Sequence, residues 1–167
     1  LPSQLYEHWQ EQPQVLRQFA KHYQTGEPLP DELLQRFLAA RKFNQGFATV
    51  EYLGASLLDL EWHLQGSATP ISNAQDFEKA TLAKYGVDFA PVPPRYRSTY
   101  FSHIFPGGYS AGYYSYMWCE VLDADAYQGF TENGGLTREN GDRFRSMVLS
   151  RGSMEDVKQM YVRWRGA

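Results

Sequence analysis

Apolar side chains recur along this chain three or four positions apart, the spacing that lays one face of a helix against a core. Over 13–23 the stripe is Leu16, Phe19, Ala20 and Tyr23. From Pro30 it is Leu33, Leu34, Phe37, Leu38 and Ala40 or Arg41. The longest run, 45–65, carries Phe47, Val50, Leu53, Leu57, Leu60 and Leu64 and predicts a core-facing helix. Gly46 and Gly54 inside it each cost about 1 kcal/mol against alanine unless close packing compensates. The punctuation agrees with the periodicity. Pro2-Ser3 opens a helix over 2–11, and Pro13 suits the first turn of the next. Asp31 and Glu32 complement the dipole of the third. Asn44 is predicted to cap the long helix, which Gly66-Ser67 and Pro70 end. Asn73 with Asp76 predicts a capped short helix bearing Phe77, Leu82 and Tyr85 and closed by Gly86.

Ala90-Pro91-Val92-Pro93-Pro94 breaks the pattern, because prolines lack the backbone donor and drive their predecessors to extended geometry. This fixed strut is expected to lead into a helix over 95–105, a turn at Pro106-Gly107-Gly108, and a helix from Tyr109 to about Phe130. Thr137 caps a helix to about Ser150. Ser153 with Asp156 reads as a capping-box variant for the last helix, whose core stripe is Val157, Tyr161 and Trp164. No alternating run of useful length occurs, so strands are minor. The expected fold class is all-α, a single helical region over 1–167.

Composition narrows the function classes. The 167 residues carry 16 Lys and Arg against 19 Asp and Glu, a net charge of −3, which disfavours a nucleic-acid binder. Ten Phe, twelve Tyr and four Trp supply too much buriable surface for intrinsic disorder. No apolar run approaches a membrane span. The one cysteine, Cys119, excludes an internal disulfide and leans toward a cytoplasmic setting; it reads as a small buried apolar residue. Neither terminus resembles a natural chain end, and the expectation is a piece of a longer polypeptide.

Candidate chemistry concentrates between 95 and 127, which hold seven of the twelve tyrosines. On a helix starting after Gly108, Tyr109, Tyr113 and Tyr116 would share one face. A row of phenols is unusual for a core stripe, because each buried hydroxyl needs a partner. With His103 across the turn, they form a bank of hydrogen-bond donors suited to a developing oxyanion or to peptide carbonyls. Gly107 and Gly108 permit positive φ, movement of the turn, or close approach to a ligand. The competing reading is an aromatic helix packed on its neighbours, with His103 satisfied by a backbone carbonyl. Arg95 and Arg97 either pair with a peptide's terminal carboxylate or form structural salt bridges, the second being favoured. His8, His22 and His63 read as ordinary solvated or packed positions.

The run from His103 to Tyr116, His-Ile-Phe-Pro-Gly-Gly-Tyr-Ser-Ala-Gly-Tyr-Tyr-Ser-Tyr, closely resembles the C-terminal region of the thimet oligopeptidase family of zinc metallopeptidases, nearest to its bacterial peptidyl-dipeptidase branch. Pro2-Ser3-Gln4, the Pro91–Arg97 segment, Gly135–Gly141 and Trp164-Arg165-Gly166 extend the likeness along the whole chain. The resemblance implies a larger, almost wholly helical enzyme with a deep channel, cutting short peptides and releasing C-terminal dipeptides. It implies zinc in the full-length enzyme, held through a His-Glu-x-x-His helix that this sequence lacks, so this chain is expected to bind no metal and to be inactive alone. The family's third ligand, a glutamate, precedes the Pro-Ser-Gln segment by one apolar residue, the place that Leu1 fills. By the same likeness His103 and Tyr116 are catalytic donors to the scissile carbonyl oxygen. Tyr109 binds substrate backbone, Tyr113 supports or contacts it, and Gly107 and Gly108 form the mobile turn. Pro106 departs from the family's small residue there and stiffens the loop. Glu7 is a candidate for orienting ligands or substrate donors, a surface position being the equal alternative. The implied partners are short peptides and the missing N-terminal part. A different class stays open: a non-catalytic helical module that binds peptides without cutting them.

Overall fold

A computed structural model describes residues 1–66 and 70–166; Ser67, invoked above at the end of the long helix, lies outside the described residues. The helices are α1 (Pro2–Gln10), α2 (Pro13–Phe19), α3 (Asp31–Ala40), α4 (Gln45–Leu64), α5 (Ala74–Lys84), α6 (Ser115–Glu132), α7 (Arg138–Met147) and α8 (Val157–Arg165). The fold is all-α. Extended pairing among the described residues is one antiparallel bridge, Lys21 to Pro28. No helix there is long and apolar enough to cross a membrane. The chain forms two compact units, Arg36–Tyr116 and the remainder.

In the unit formed by Leu1–Gln35 and the chain from Met117 onward, Leu5, Ala126, Phe130, Phe144, Val148 and Trp164 make the core. Trp164 lies 5.1 Å from Phe144 and 5.7 Å from Phe130 between ring centroids. Polar groups around it are paired. His8 Nε2 meets Asp123 Oδ1 at 2.9 Å and its ring stacks on Tyr127, so His8 is a built contact and not an incidental surface histidine. Tyr161 donates to Asp125 at 2.6 Å, while Arg165 reaches both Asp125 (3.0 Å) and Glu132 (2.9 Å). The stem of Arg165 crosses Gly129, where an added Cβ would sit 3.1 Å from Arg165 Cδ.

Several expectations need correction in this unit. Helix α2 stops at Phe19, not near Tyr23. Ala20 turns extended and its carbonyl accepts from Leu29 N–H, so a short paired loop replaces the last helical turn and leaves Tyr23 87% exposed. Val157 is exposed, leaving Tyr161 and Trp164 to face the core. The cap of α8 is Asp156, which accepts from Gln159 N–H at 2.9 Å; Ser153 is left-handed at φ 57° and caps nothing. Cys119 is half-buried where full burial was expected. Thr137 does cap α7, accepting from Asn140 N–H.

The unit Arg36–Tyr116 is organised on α4 and α5. Asn73 caps α5 as the sequence suggests, accepting from Gln75 and Asp76 N–H. Asn44 stands before α4 in the left-handed region, with no side-chain cap bond. The leucine stripe of α4 is not its buried face: Phe47 and Leu64 are exposed, and the buried residues are Gly54, Ala55, Ser56, Leu58, Asp59 and Glu61. Burial of carboxylates is tolerated because each is hydrogen-bonded. Glu61 accepts from Lys84 (2.8 Å) and Tyr85 (2.5 Å), and these partners hold its carboxyl below the ordinary range. Gly54 lets the proline strut close in, since a Cβ there would stand 3.3 Å from Pro94 Cβ.

Residues 95–105 form no α-helix. After Pro94 the chain makes a single 3₁₀ turn, Ser98–Tyr100. Buried Glu78 takes Ser98 N–H (2.9 Å) and Oγ (3.0 Å), and Arg97 pairs with the same carboxylate. That capture spends the Ser98 donor outside any helix, and it gives Arg97 the structural role favoured for it.

Candidate active-site cluster

Helix α6 begins at Ser115, so Tyr109 and Tyr113 do not lie on it and the shared helical face expected for the three phenols does not exist. They come together by turns instead. Gly107 N–H donates to Ser102 O (2.8 Å), Tyr109 N–H to His103 O (2.9 Å) and Ser110 Oγ to Ile104 O (2.7 Å), folding the glycine-rich segment back over His103. The two glycines serve different needs. Gly108 takes φ 81°, whereas a Cβ on Gly107 would meet Ser102 O at 2.8 Å and His103 Cα at 2.9 Å. The close approach at Gly107 is to its own backbone.

The rings converge. His103 lies 5.9 Å from Tyr109, 5.5 Å from Tyr113 and 6.2 Å from Tyr116 between centroids, and Tyr109 stacks on Tyr116 at 5.2 Å. Tyr96 stacks on Phe101 beneath His103, completing an aromatic floor with Ala55 and Ile104. Tyr113 is buried at 5% exposure and belongs to that floor. Tyr109 remains 38% exposed, and His103 and Tyr116 are half-buried. Glu7 is exposed on α1, in the other unit.

His103 has no backbone-carbonyl bond of the kind the packing reading required. Its Nδ1 is buried and has no hydrogen-bond partner among the described residues. A buried N–H without an acceptor carries the full desolvation penalty of a donor. The uncharged tautomer with its proton on Nε2 avoids that penalty. Tyr116 is held as a donor too: its side-chain hydrogen bond with Tyr109, ahead of burial, pushes the phenol up to about 12. Burial likewise drives Tyr113 and Tyr161 well above the ordinary phenol value. Because the folded values are raised, stability linked to Tyr116 is complete below the ordinary value of 10.0 and is lost as pH climbs through about 12. Phenolate absorbance should thus show a late-ionising fraction from these three tyrosines in the folded chain, a delay that vanishes in denaturant. Identical titrations of the folded and denatured chain would overturn this.

The periodicity of the sequence missed the groups that hold the cluster from behind. Asp59 is fully buried and accepts from Ala111 N–H through Oδ1 and from Tyr113 N–H through Oδ2, both at 2.8 Å. Tyr52 Oη donates to the Tyr113 carbonyl oxygen. The available signal was an aspartate set among the leucines of the longest helix, seven residues from a tyrosine on the same face. His63, read as ordinary, lies against Asp59 Oδ1 at 2.9 Å. His22 accepts from Thr25 N–H in its own loop. Arg95 lies over the Tyr96 ring at 5.6 Å.

Among the described residues, no group of three or more His, Cys, Asp or Glu is placed to hold a metal ion. The polar groups that the cluster brings together are an imidazole and phenols, which can donate hydrogen bonds.

The sequence matches the description Peptidase family M3 over residues 1–167. The chain belongs to that family. It is 50% identical over 165 residues to the dipeptidyl carboxypeptidase of Escherichia coli (strain K12), covering 99% of this chain and 24% of that protein. It is 41% identical over 167 residues to the oligopeptidase A of Salmonella typhimurium (strain LT2), with the same coverage of 99% and 24%. With the mitochondrial intermediate peptidase of Sclerotinia sclerotiorum the identity is 33%, over 93% of this chain and 20% of that protein. The chain thus spans about a quarter of the length of the curated relatives it matches. The family likeness read from the His103–Tyr116 run is borne out.

Proposed function

We propose that this chain is the substrate-facing part of a zinc metallopeptidase that shortens peptides by releasing C-terminal dipeptides. The observation that carries the reading is the convergence of the His103, Tyr109 and Tyr116 rings, with Tyr116 kept protonated. In this role His103 and Tyr116 donate to the scissile carbonyl oxygen and stabilise the negative charge it gains as the carbon becomes tetrahedral. Such preorganised donors act without reorganisation at the moment of reaction. Tyr109, the most exposed of the three, binds substrate backbone, and Gly107-Gly108 shape the turn that presents it. Tyr113 supports the others from the floor. Zinc in this reading belongs to residues outside this chain, which is inactive alone. Its partners are short peptides and the rest of its own polypeptide, in a cytoplasmic setting. The name of the 50% identical relative favours dipeptide release over internal cleavage.

The test is product analysis with the full-length polypeptide. N-blocked peptides of increasing length should each lose a C-terminal dipeptide by mass spectrometry, and amidating the C-terminus should suppress the reaction. Cuts scattered through the peptide interior would overturn dipeptide release. Tight binding with no cleavage would favour the non-catalytic module.

A further inference from the structure

We infer that Asp59 is a positioning residue for this site: its buried carboxylate fixes the backbone of the turn that carries Tyr109 and leads into Tyr116 at the start of α6. The inference rests on the donor reading above and adds a residue on α4, far from the turn in sequence. Two backbone donors two residues apart, Ala111 N–H and Tyr113 N–H, each find one oxygen of this carboxylate at 2.8 Å. Hydrogen bonds to an ionised acceptor are the stronger kind, and two of them from one rigid group define an orientation as well as a distance. His63, one helical turn along, brings Nδ1 to 2.9 Å of Oδ1, 2.8 Å of the Asp59 carbonyl oxygen and 3.3 Å of Ala111 N, and so packs against the same point.

A second observation is independent of these bonds. Ala111 holds φ 53°, a left-handed conformation that L-residues with a Cβ avoid. Such a conformation persists only where surrounding contacts determine it. The Ala111 N–H meets Asp59 Oδ1 at 2.8 Å and, less closely, His63 Nδ1 at 3.3 Å, and these are those contacts. Two residues on, the carbonyl of Tyr113 is taken by Tyr52, seven residues before Asp59 on α4. Both backbone groups of Tyr113 are therefore held by one face of one helix. Tyr113 in turn packs against His103 and Tyr116. The stacked Tyr109–Tyr116 pair flanks this anchored point on either side in sequence, so its geometry is inherited from α4.

The experiment uses the full-length polypeptide with a fluorogenic short peptide, and follows chymotryptic cutting at Tyr109 in parallel. Asp59→Asn keeps the shape but turns one acceptor into a donor facing a backbone N–H. It should lower kcat by at least about tenfold with KM within about threefold, since a misplacement of about 1 Å costs on the order of a hundredfold. Cutting at Tyr109 should accelerate at least about tenfold as the turn opens. Adding Ala111→Gly, which makes φ 53° permissible without the clamp, should recover about threefold or more of the kcat. Should Asp59→Asn not fold, Ala111→Pro at an exposed position removes the same donor and the same φ, and should reproduce both effects with an unchanged melting temperature. A kcat within about twofold of the parent in the soluble variant, or a loss that the added glycine leaves untouched, overturns the inference. Tyr116→Phe run alongside separates the two ideas. If it lowers kcat and Asp59→Asn does not, the clamp falls and the donor reading stands. If Tyr116→Phe is silent, the donor reading falls, and faster cutting at Tyr109 alone decides whether Asp59 holds the turn.

Discussion

Tyr116→Phe in the full-length polypeptide is expected to lower kcat about 100- to 1,000-fold while KM moves by less than about threefold. The substitution deletes one oxygen from a ring that stacks on Tyr109 and borders Tyr113, so the aromatic packing survives. In the proposed role, what disappears is a donor aimed at charge that exists only in the transition state. Loss of one such donor raises a barrier by about 2.7–4 kcal/mol. Binding of the uncharged carbonyl in the ground state depends far less on it, which is why the effect falls on kcat. Tyr116 is also the phenol whose pKa is pushed up to about 12, and a group so resistant to ionisation stays a donor across the whole working range. A kcat reduced by less than about threefold would remove Tyr116 from the reaction.

The second large effect concerns stability. Trp164→Ala should destabilise the fold by about 3–5 kcal/mol, visible as a lower denaturant midpoint with the slope preserved. Trp164 is 4% exposed and sits against Phe130, Phe144 and Tyr161, so its removal leaves a cavity walled by three aromatic rings that cannot collapse inward. Its carbonyl, by contrast, is held by Arg143, and that bond survives the change. The penalty is therefore one of packing. A loss under about 1 kcal/mol would show that this end of the core repacks freely.

Local signals sufficed where an element is decided by its own ends. The Pro at the start of α1 and α2, Asn73 before α5 and Thr137 before α7 all act within one turn, and those starts were legible. The stretch 95–114 was not. Its aromatic residues recur at helical intervals, yet Ser98 N–H goes to Glu78, and Ala111 and Tyr113 N–H go to Asp59. A backbone donor committed to a distant carboxylate is unavailable to a helix, and spacing cannot foresee that. The grouping of His103 with Tyr109 and Tyr116 was therefore correct for a reason other than the one the pattern offered. Asp59 escaped notice because carboxylates between leucines are read as the wet side of a helix. In α4 they are buried because partners from elsewhere in the chain satisfy them.

Gly129 and Arg165 are complementary in the way a notch fits a bolt. The arginine stem occupies the volume a side chain at 129 would need, and its head then reaches Asp125 and Glu132, one on each side of the notch along α6. The two positions are coupled: a Cβ at 129 would stand 3.1 Å from Arg165 Cδ, so a larger residue there presses on the stem and on its hold of both carboxylates. The C-terminal parts of α6 and α8 therefore accept change at one position only as far as the other can give way.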